Sequence, residues 1–119
     1  MVFHPRREDG SHNILRFLRR NPGMSSVAII GGKTVGVILC GHDGRRGYIY
    51  RMAVDPQYRR LGIGAALAKC AVTAFRNARI FRCIHFIGPT NRASRAFWKS
   101  AGWELVKDRG IMVRDIQGG

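Results

Sequence analysis

The spacing of apolar residues changes several times along the chain, and each change marks an element. From Ser11 onward, Ile14, Phe17 and Leu18 share one helical face, so a helix is predicted over 12–21, capped by Ser11 and stopped by Pro22-Gly23. Residues 26–30 read as a strand, Gly31-Gly32 as a tight hairpin turn, and 34–40 as the return strand. A polar loop with three glycines, 41–47, leads into a third strand over 48–54, ended by Asp55-Pro56. Simple alternation along that strand puts Tyr48 and Tyr50 on one face together with Met52. The helical period returns at Ile63 and persists to about Arg76, with Leu67, Cys70, Ala71, Ala74 and Phe75 turned to a core. Its many alanines allow close packing on a sheet.

A short apolar strand follows over 83–87, then a helix over 92–101 capped by Thr90 or Asn91, with Gly102 where a left-handed C-cap belongs. Residues 103–106 and 111–113 complete the pattern as a hairpin across Asp108-Arg109-Gly110. The order α-β-β-β-α-β-α-β-β has hairpins first and one strand–helix–strand crossover later. That order predicts an α/β (α+β) fold with a mixed, mostly antiparallel sheet and flanking helices. Residues 1–10 read as a polar lead-in, and with no repeat or linker the whole of 1–119 is expected to form one domain.

Composition narrows the partners. A chain of 119 residues has room for one core, and its 45 % hydrophobic content excludes bulk disorder. The net charge of +14, from 21 Lys and Arg against 7 Asp and Glu, gives a surface that attracts anions. Nucleic acid, an acidic membrane or a polyphosphate cofactor would each satisfy it. Arginines recur from Arg16 to Arg95 over three predicted helices and a loop, without a zinc-finger, helix-turn-helix or RNA-binding aromatic pattern. They therefore read as solvated helix faces, and a nucleic-acid-binding module stands as the alternative. Cys40, Cys70 and Cys83 are odd in number, lack metal-ligand spacing and lie in apolar stretches, so the expectation is buried thiols and no metal. No signal-peptide pattern or ~20-residue apolar run is present, so a cytoplasmic protein without a membrane partner is expected.

The chemistry concentrates between Tyr58 and Leu67. A strand ends, the chain turns through Gly62 and Gly64, and a long helix begins. Free backbone N–H groups converge at such a helix start and make an anion site, and glycines keep side chains out of the way. Arg59 and Arg60 add positive charge. A Walker loop is excluded because Ala65-Ala66 follows Gly64 where Lys-Ser/Thr is required. A dinucleotide fingerprint lacks its third glycine, Leu67 standing there, and its downstream acid.

The motif Arg59-x-x-Gly62-x-Gly64 resembles the Arg/Gln-x-x-Gly-x-Gly/Ala signature of the GNAT family of N-acetyltransferases. The run from Asn91 through Ala93-Ser94-Arg95-Ala96-Phe97-Trp98 to Gly102-Trp103 resembles that family's second signature, at the usual separation. The resemblance covers about residues 24–116. It implies transfer of an acetyl group from acetyl-CoA to a primary amine by direct attack in a ternary complex. Backbone amides of Arg60, Leu61, Gly62, Ile63, Gly64 and Ala65, beside Arg59, would hold the pyrophosphate. The main chain of Met52, Ala53 and Val54 would pair with the pantetheine arm and supply an oxyanion-type donor, and Asn91 would contact the arm.

Two features depart from the family pattern. Where many members carry a Tyr that protonates the departing thiolate, this chain has Trp98, whose indole N–H donates a hydrogen bond but is no practical proton donor. No acidic residue lies in the 48–54 strand, so His42, Asp43, Tyr48, Tyr50 and His85 are the candidate bases. His85 in an apolar strand also reads as structural, and His42-Asp43 also reads as a plain turn. The strand and helix that usually precede the 11–21 segment are missing, which exposes an edge strand; a second copy covering it, or a truncated chain, would account for that. The acceptor stays open among an N-terminal peptide amine, an amino acid and a small neutral amine, polycations being disfavoured by charge. A protein of this fold that binds acyl-CoA with little catalysis is a further alternative.

Overall fold

A computed structural model of the chain describes residues 11–88 and 91–116. The predicted lead-in 1–10 and the alternative cap Thr90 lie outside the described residues. The chain divides into two compact units, Met1–Gly88 and Pro89–Gly119.

The first unit contains α1 (Ser11–Arg20), β1 (Ser26–Ile30), β2 (Lys33–His42), β3 (Gly47–Val54), a single 3-10 turn (Pro56–Tyr58), α2 (Ile63–Asn77) and β4 (Cys83–His85). The sheet order is β1-β2-β3-β4, with the first two pairings antiparallel and the last parallel, the mixed sheet the element order predicts. β1 has the predicted bounds because Gly31 and Gly32, at φ 56° and 78°, form the two-residue turn that only residues tolerant of positive φ can make. β2 runs two residues past its predicted end, since His42 still pairs with Gly47. β4 stops two residues short, at His85.

The two helices meet the sheet on opposite faces. α2 sits over the even-numbered residues of β2. A Cβ on Gly36 would come 3.0 Å from Ile63 Cγ2 and 3.1 Å from Leu67 Cδ1, and one on Gly47 would come 2.4 Å from the Phe75 ring. Ile38, Cys40, Leu67, Ala71 and Phe75 form this layer of the core. Cys70 is exposed, contrary to expectation: the buried stripe is centred on Ala71, and Cys70 lies about 100° round the helix from it. Of the three thiols only Cys40 is fully buried. That burial, helped by nearby Cys83, pushes its pKa up to about 12, while Cys83 is half-buried.

α1 covers the odd-numbered face more lightly. Its Ile14, Phe17 and Leu18 are half-buried, as the helical spacing predicts. Asn21 anchors its end: Oδ1 accepts from the His42 N–H at 3.0 Å, and Nδ2 donates to Phe17 O at 3.3 Å. Asn21 is itself buried, so these bonds fall where each counts for about 1 kcal/mol. Among the described residues no helix is long and apolar enough to cross a membrane.

The second unit is built on α3 (Arg92–Ser100). Asn91 caps it, Oδ1 accepting from the Ser94 N–H at 3.1 Å. The other end closes as predicted: Gly102 takes φ 96°, Gly102 N–H bonds Lys99 O, and Trp103 N–H bonds Trp98 O, both at 3.0 Å. The predicted final hairpin is not formed, and residues 103–116 contain no strand. Val106, Ile111, Met112 and Val113 stay exposed, Met112 completely so, while Trp103 and Leu105 are half-buried. A lone two-stranded hairpin is marginal in water, and among its described residues the second unit offers no further strand to pair with.

Candidate active site

The site begins with a miscount along β3. Cys40 faces Ile49 and Leu39 faces Arg51, so Tyr50 is an extra residue without an opposite number on β2. Such a bulge bends the strand and increases its twist. It also shifts the alternation. Tyr48 pairs with Gly41 on the α1 face, and the Tyr50 ring lies 5.1 Å from Phe17 of α1 in an edge-on contact and 5.9 Å from Tyr48. Met52 pairs with Ile38 on the α2 face and is buried. The tyrosines therefore share a face as expected, but Met52 lies on the opposite one.

Beyond the bulge the sheet opens. β3 pairs with β4 only through Gly47, Tyr48 and Ile49, and continues to Val54 with no strand on that side among the described residues. Met52, Ala53 and Val54 thus present main-chain groups along an open edge. At the last rung the His85 ring takes over from the ladder, its Nδ1 3.1 Å from Ile49 O. A carbonyl can only accept, so Nδ1 carries the proton and Nε2 is the ring's acceptor nitrogen. Burial depresses the His85 pKa, the Ile49 carbonyl opposes this, and nearby Arg51 lowers it further. The imidazole is neutral at pH 7.

The start of α2 lies beside this edge. Gly36 pairs with Val54 and packs directly under Ile63 and Leu67, which fixes the helix entry over the C-terminal end of β3. The turn before it is tied down by Asp55, whose carboxylate accepts from Gln57 N–H at 3.0 Å and meets Lys33 Nζ at 3.4 Å. Arg60 at φ 64° and Gly62 at φ 80° then reverse the chain, and Gly62 is the N-cap with no side-chain capping bond. The first helix-closing bond is Ala66 N–H to Gly62 O at 3.0 Å, so the N–H groups of Ile63, Gly64 and Ala65 precede it. No acidic residue occupies the first turn, and Arg59, Arg60 and Leu61 are exposed. Positive backbone ends, positive side chains and no competing carboxylate suit a phosphate or pyrophosphate.

Two of the remaining candidates, His42 and Asp43, lie toward the other end of β3. His42 pairs with Gly47, five residues from Met52, or about 16 Å along the strand. Its Nδ1 accepts from the Gly44 N–H at 3.0 Å, which uses the ring's lone pair inside its own loop. Asp43 Oδ1 accepts from Arg45 and Arg46 N–H, both at 2.8 Å, the bonds that hold its pKa below the usual carboxylate range. The Tyr50 phenol is shifted up by partial burial first, then by Tyr48 and Asp43, and so stays protonated. In the second unit Trp98 is buried, its ring 5.1 Å from Phe97 and 5.2 Å from Trp103, while Asn91 spends its oxygen on the helix cap and keeps its amide N–H groups as donors.

Sequence reasoning overlooked Gly36 and the bulge at Tyr50. A lone glycine inside an apolar strand is a recognisable sign of close backbone approach. The bulge has no such sign, because it exists only relative to β2.

Known proteins resemble this chain in sequence and in fold. N-alpha-acetyltransferase 30 of Xenopus laevis is 33 % identical over 107 residues, covering 86 % of this chain and 38 % of that protein. An acetyltransferase of Sodalis glossinidius is 42 % identical over 59 residues, half of this chain and 42 % of that one. The chain thus spans about two-fifths of the length of these relatives. The crystal structure of Ard1 from Thermoplasma volcanium superposes with a TM-score of 0.75 at 25 % identity, covering 81 % of this chain and 66 % of that one. The model of the acetyltransferase (GNAT) family matches residues 2–103, and with an opened sheet edge beside an uncapped helix start, this chain belongs to that family.

Proposed function

We propose that the chain moves an acetyl group from acetyl-CoA to a primary amine, by direct attack of the neutral amine in a ternary complex. The observation that carries this reading is the open edge of β3 lying next to the uncapped start of α2. The two features fit the two halves of coenzyme A, an extended amide-bearing arm and a pyrophosphate. Bound there, acetyl-CoA supplies the acyl thioester. Residues 60–65 hold the phosphates through their amides, Arg59 adding charge, and the main chain of Met52, Ala53 and Val54 aligns the arm. An amide of that edge donates to the acyl oxygen as charge develops on it. His85 accepts the proton that the acceptor nitrogen gives up, directly or through one water, being neutral and in the tautomer with an acceptor Nε2. His42 is the weaker candidate because it stands opposite Gly47, about 16 Å along the strand from Met52. Tyr50 stays a phenol and so serves as a hydrogen-bond donor and not as the base, while the proton taken by His85 passes through water to the departing thiolate.

For the acceptor we favour the α-amine of a peptide, supported by the N-alpha-acetyltransferase relative. We further read the chain as a single cytoplasmic acyltransferase domain. A second copy over the outer edge of β1 would cover Val27 and Ile29, which are 55 % and 60 % exposed.

Calorimetric titration of acetyl-CoA into the wild type and into a Gly62→Glu, Gly64→Glu double variant tests the reading. Saturable binding that the variant loses is expected. A folded wild type that takes up no heat would overturn it.

A further inference from the structure

The arginines that the sequence scatters are gathered by the fold. β3 starts at Gly47, and three segments converge on that start. α1 ends there, because Asn21 Oδ1 accepts from the His42 N–H at 3.0 Å; Arg19 and Arg20 of its last turn therefore stand beside the β2–β3 loop and its Arg45. On the other face α2 ends there too, with the Phe75 ring against Gly47, which brings Arg76 and, just beyond the helix, Arg79. The approach to β4 is tied to the same residue by the Gly47 N–H bond to Arg82 O at 2.9 Å. All six arginines are exposed.

Counter-charge is nearly missing. Within residues 11–88 the only carboxylates are Asp43 and Asp55. Asp43 is engaged by the amides of its own loop, and Asp55 stands at the far end of β3 beside Lys33. Arg19, Arg20 and Arg76 complement the negative ends of their helices, a sufficient structural reason for those three. Arg45, Arg79 and Arg82 lie outside any helix, and Arg79 occupies a left-handed conformation, φ 60°, that glycine would adopt with less strain. Phe81, between buried Ile80 and Arg82, is 79 % exposed.

Guanidinium groups, whose planar fork matches phosphate, around one exposed aromatic ring are the ingredients of sequence-tolerant single-strand binding. A bilayer would need an apolar face to bury, and between residues 76 and 85 Phe81 is the one large apolar side chain that is exposed. An acidic peptide would use the charge but not the ring. We propose that this end of the first unit binds single-stranded nucleic acid through its phosphate backbone, with Phe81 as a stacking face. The site lies at the opposite end of β3 from the acetyl-CoA edge and stands independently of the acyltransferase reading.

Fluorescence anisotropy with a labelled oligouridine 20-mer at several salt concentrations tests it, with polyglutamate and phosphatidylserine vesicles as competing probes. The wild type should bind with a log–log salt slope of about −0.7 per phosphate contacted. A variant combining Arg45→Ser, Arg79→Gly and Arg82→Ser should bind about tenfold or more weakly, its slope shallower by about two. Arg79→Gly suits the local backbone, and a melting temperature at or above that of the wild type would confirm that the variant is folded. Phe81→Ser should weaken binding without changing the slope. The acetyl-CoA heat of the triple variant should match the wild type, which separates failure here from failure of the acyltransferase reading. Equal oligouridine affinity in the triple variant, no binding by the wild type, or tighter binding of polyglutamate or vesicles would each overturn the proposal.

Discussion

One strand, β3, ends in two opposite ways. At Gly47 it is hydrogen-bonded on both sides, a phenyl ring presses on its backbone, and Asn21 pins the neighbouring helix. At Val54 one side has no strand partner among the described residues, and the adjacent helix starts without a side-chain cap. The closed end supplies the packing that lets the open end leave its donors and acceptors for a ligand. An edge left open along a whole strand would invite unwanted pairing; opening only the last five residues confines that exposure to the site.

The contrast is most directly broken at Gly47. Gly47→Ala places a carbon 2.4 Å from the Phe75 ring, and the ring or the strand must move. We expect a loss of about 1–3 kcal/mol in urea denaturation. Adding Phe75→Leu should recover part of it, a coupling that a double-mutant cycle reads directly. Additive losses would show that the ring and the glycine do not share the strain.

His85 stands where closed becomes open, and pH sharpens the comparison there. Its pKa is depressed in the folded protein, so the unfolded chain takes up the proton more readily. The stability it contributes is fully present above the unfolded value of about 6.5 and is lost as pH falls through the lower folded value. Denaturation midpoints measured from pH 7.5 down to 5 should decline in the wild type and stay flatter in His85→Leu. Identical slopes would remove His85 as the titrating group. The smallest expected effect is a gain. Arg79 holds φ 60° at the exit of α2, and Arg79→Gly should raise stability by up to about 1 kcal/mol in the same assay.

What the sequence made legible was local. The Gly31-Gly32 turn, the Asn91 and Gly102 caps and the Arg59-x-x-Gly62-x-Gly64 turn each depend on residues close in the chain, so their signals survive without tertiary knowledge. Other features depend on which segments meet. Tyr50 counts as an extra residue only against Leu39 and Cys40, ten or more positions away. His85, already one of five candidate bases in the sequence, acquires a defined tautomer only through the Ile49 carbonyl across the β3–β4 pairing, and Cys70 leaves the core because the sheet selects a stripe centred on Ala71. The apolar residues between 103 and 113 look like strands because period 2 is their only property visible in the sequence; pairing requires a neighbouring strand, and the described residues of their unit contain none. The arginines looked scattered for the same reason, since only the antiparallel run of β3 and α2 returns residues 76–82 to the level of residue 45.

The bulge gives the opening an unusual genetic character. Substituting Tyr50 changes a ring but leaves the extra residue, so the strand keeps its kink and its shifted faces through any point mutation that still folds. Deleting Tyr50 would join Ile49 to Arg51 with their faces already alternating, restoring a regular ladder to β2 without moving any other partner out of register. The open edge is thus recorded in the chain's length and not in its chemistry. In a lineage with this fold it would tolerate drift in the side chain at position 50 and yet be vulnerable to the loss of a single codon.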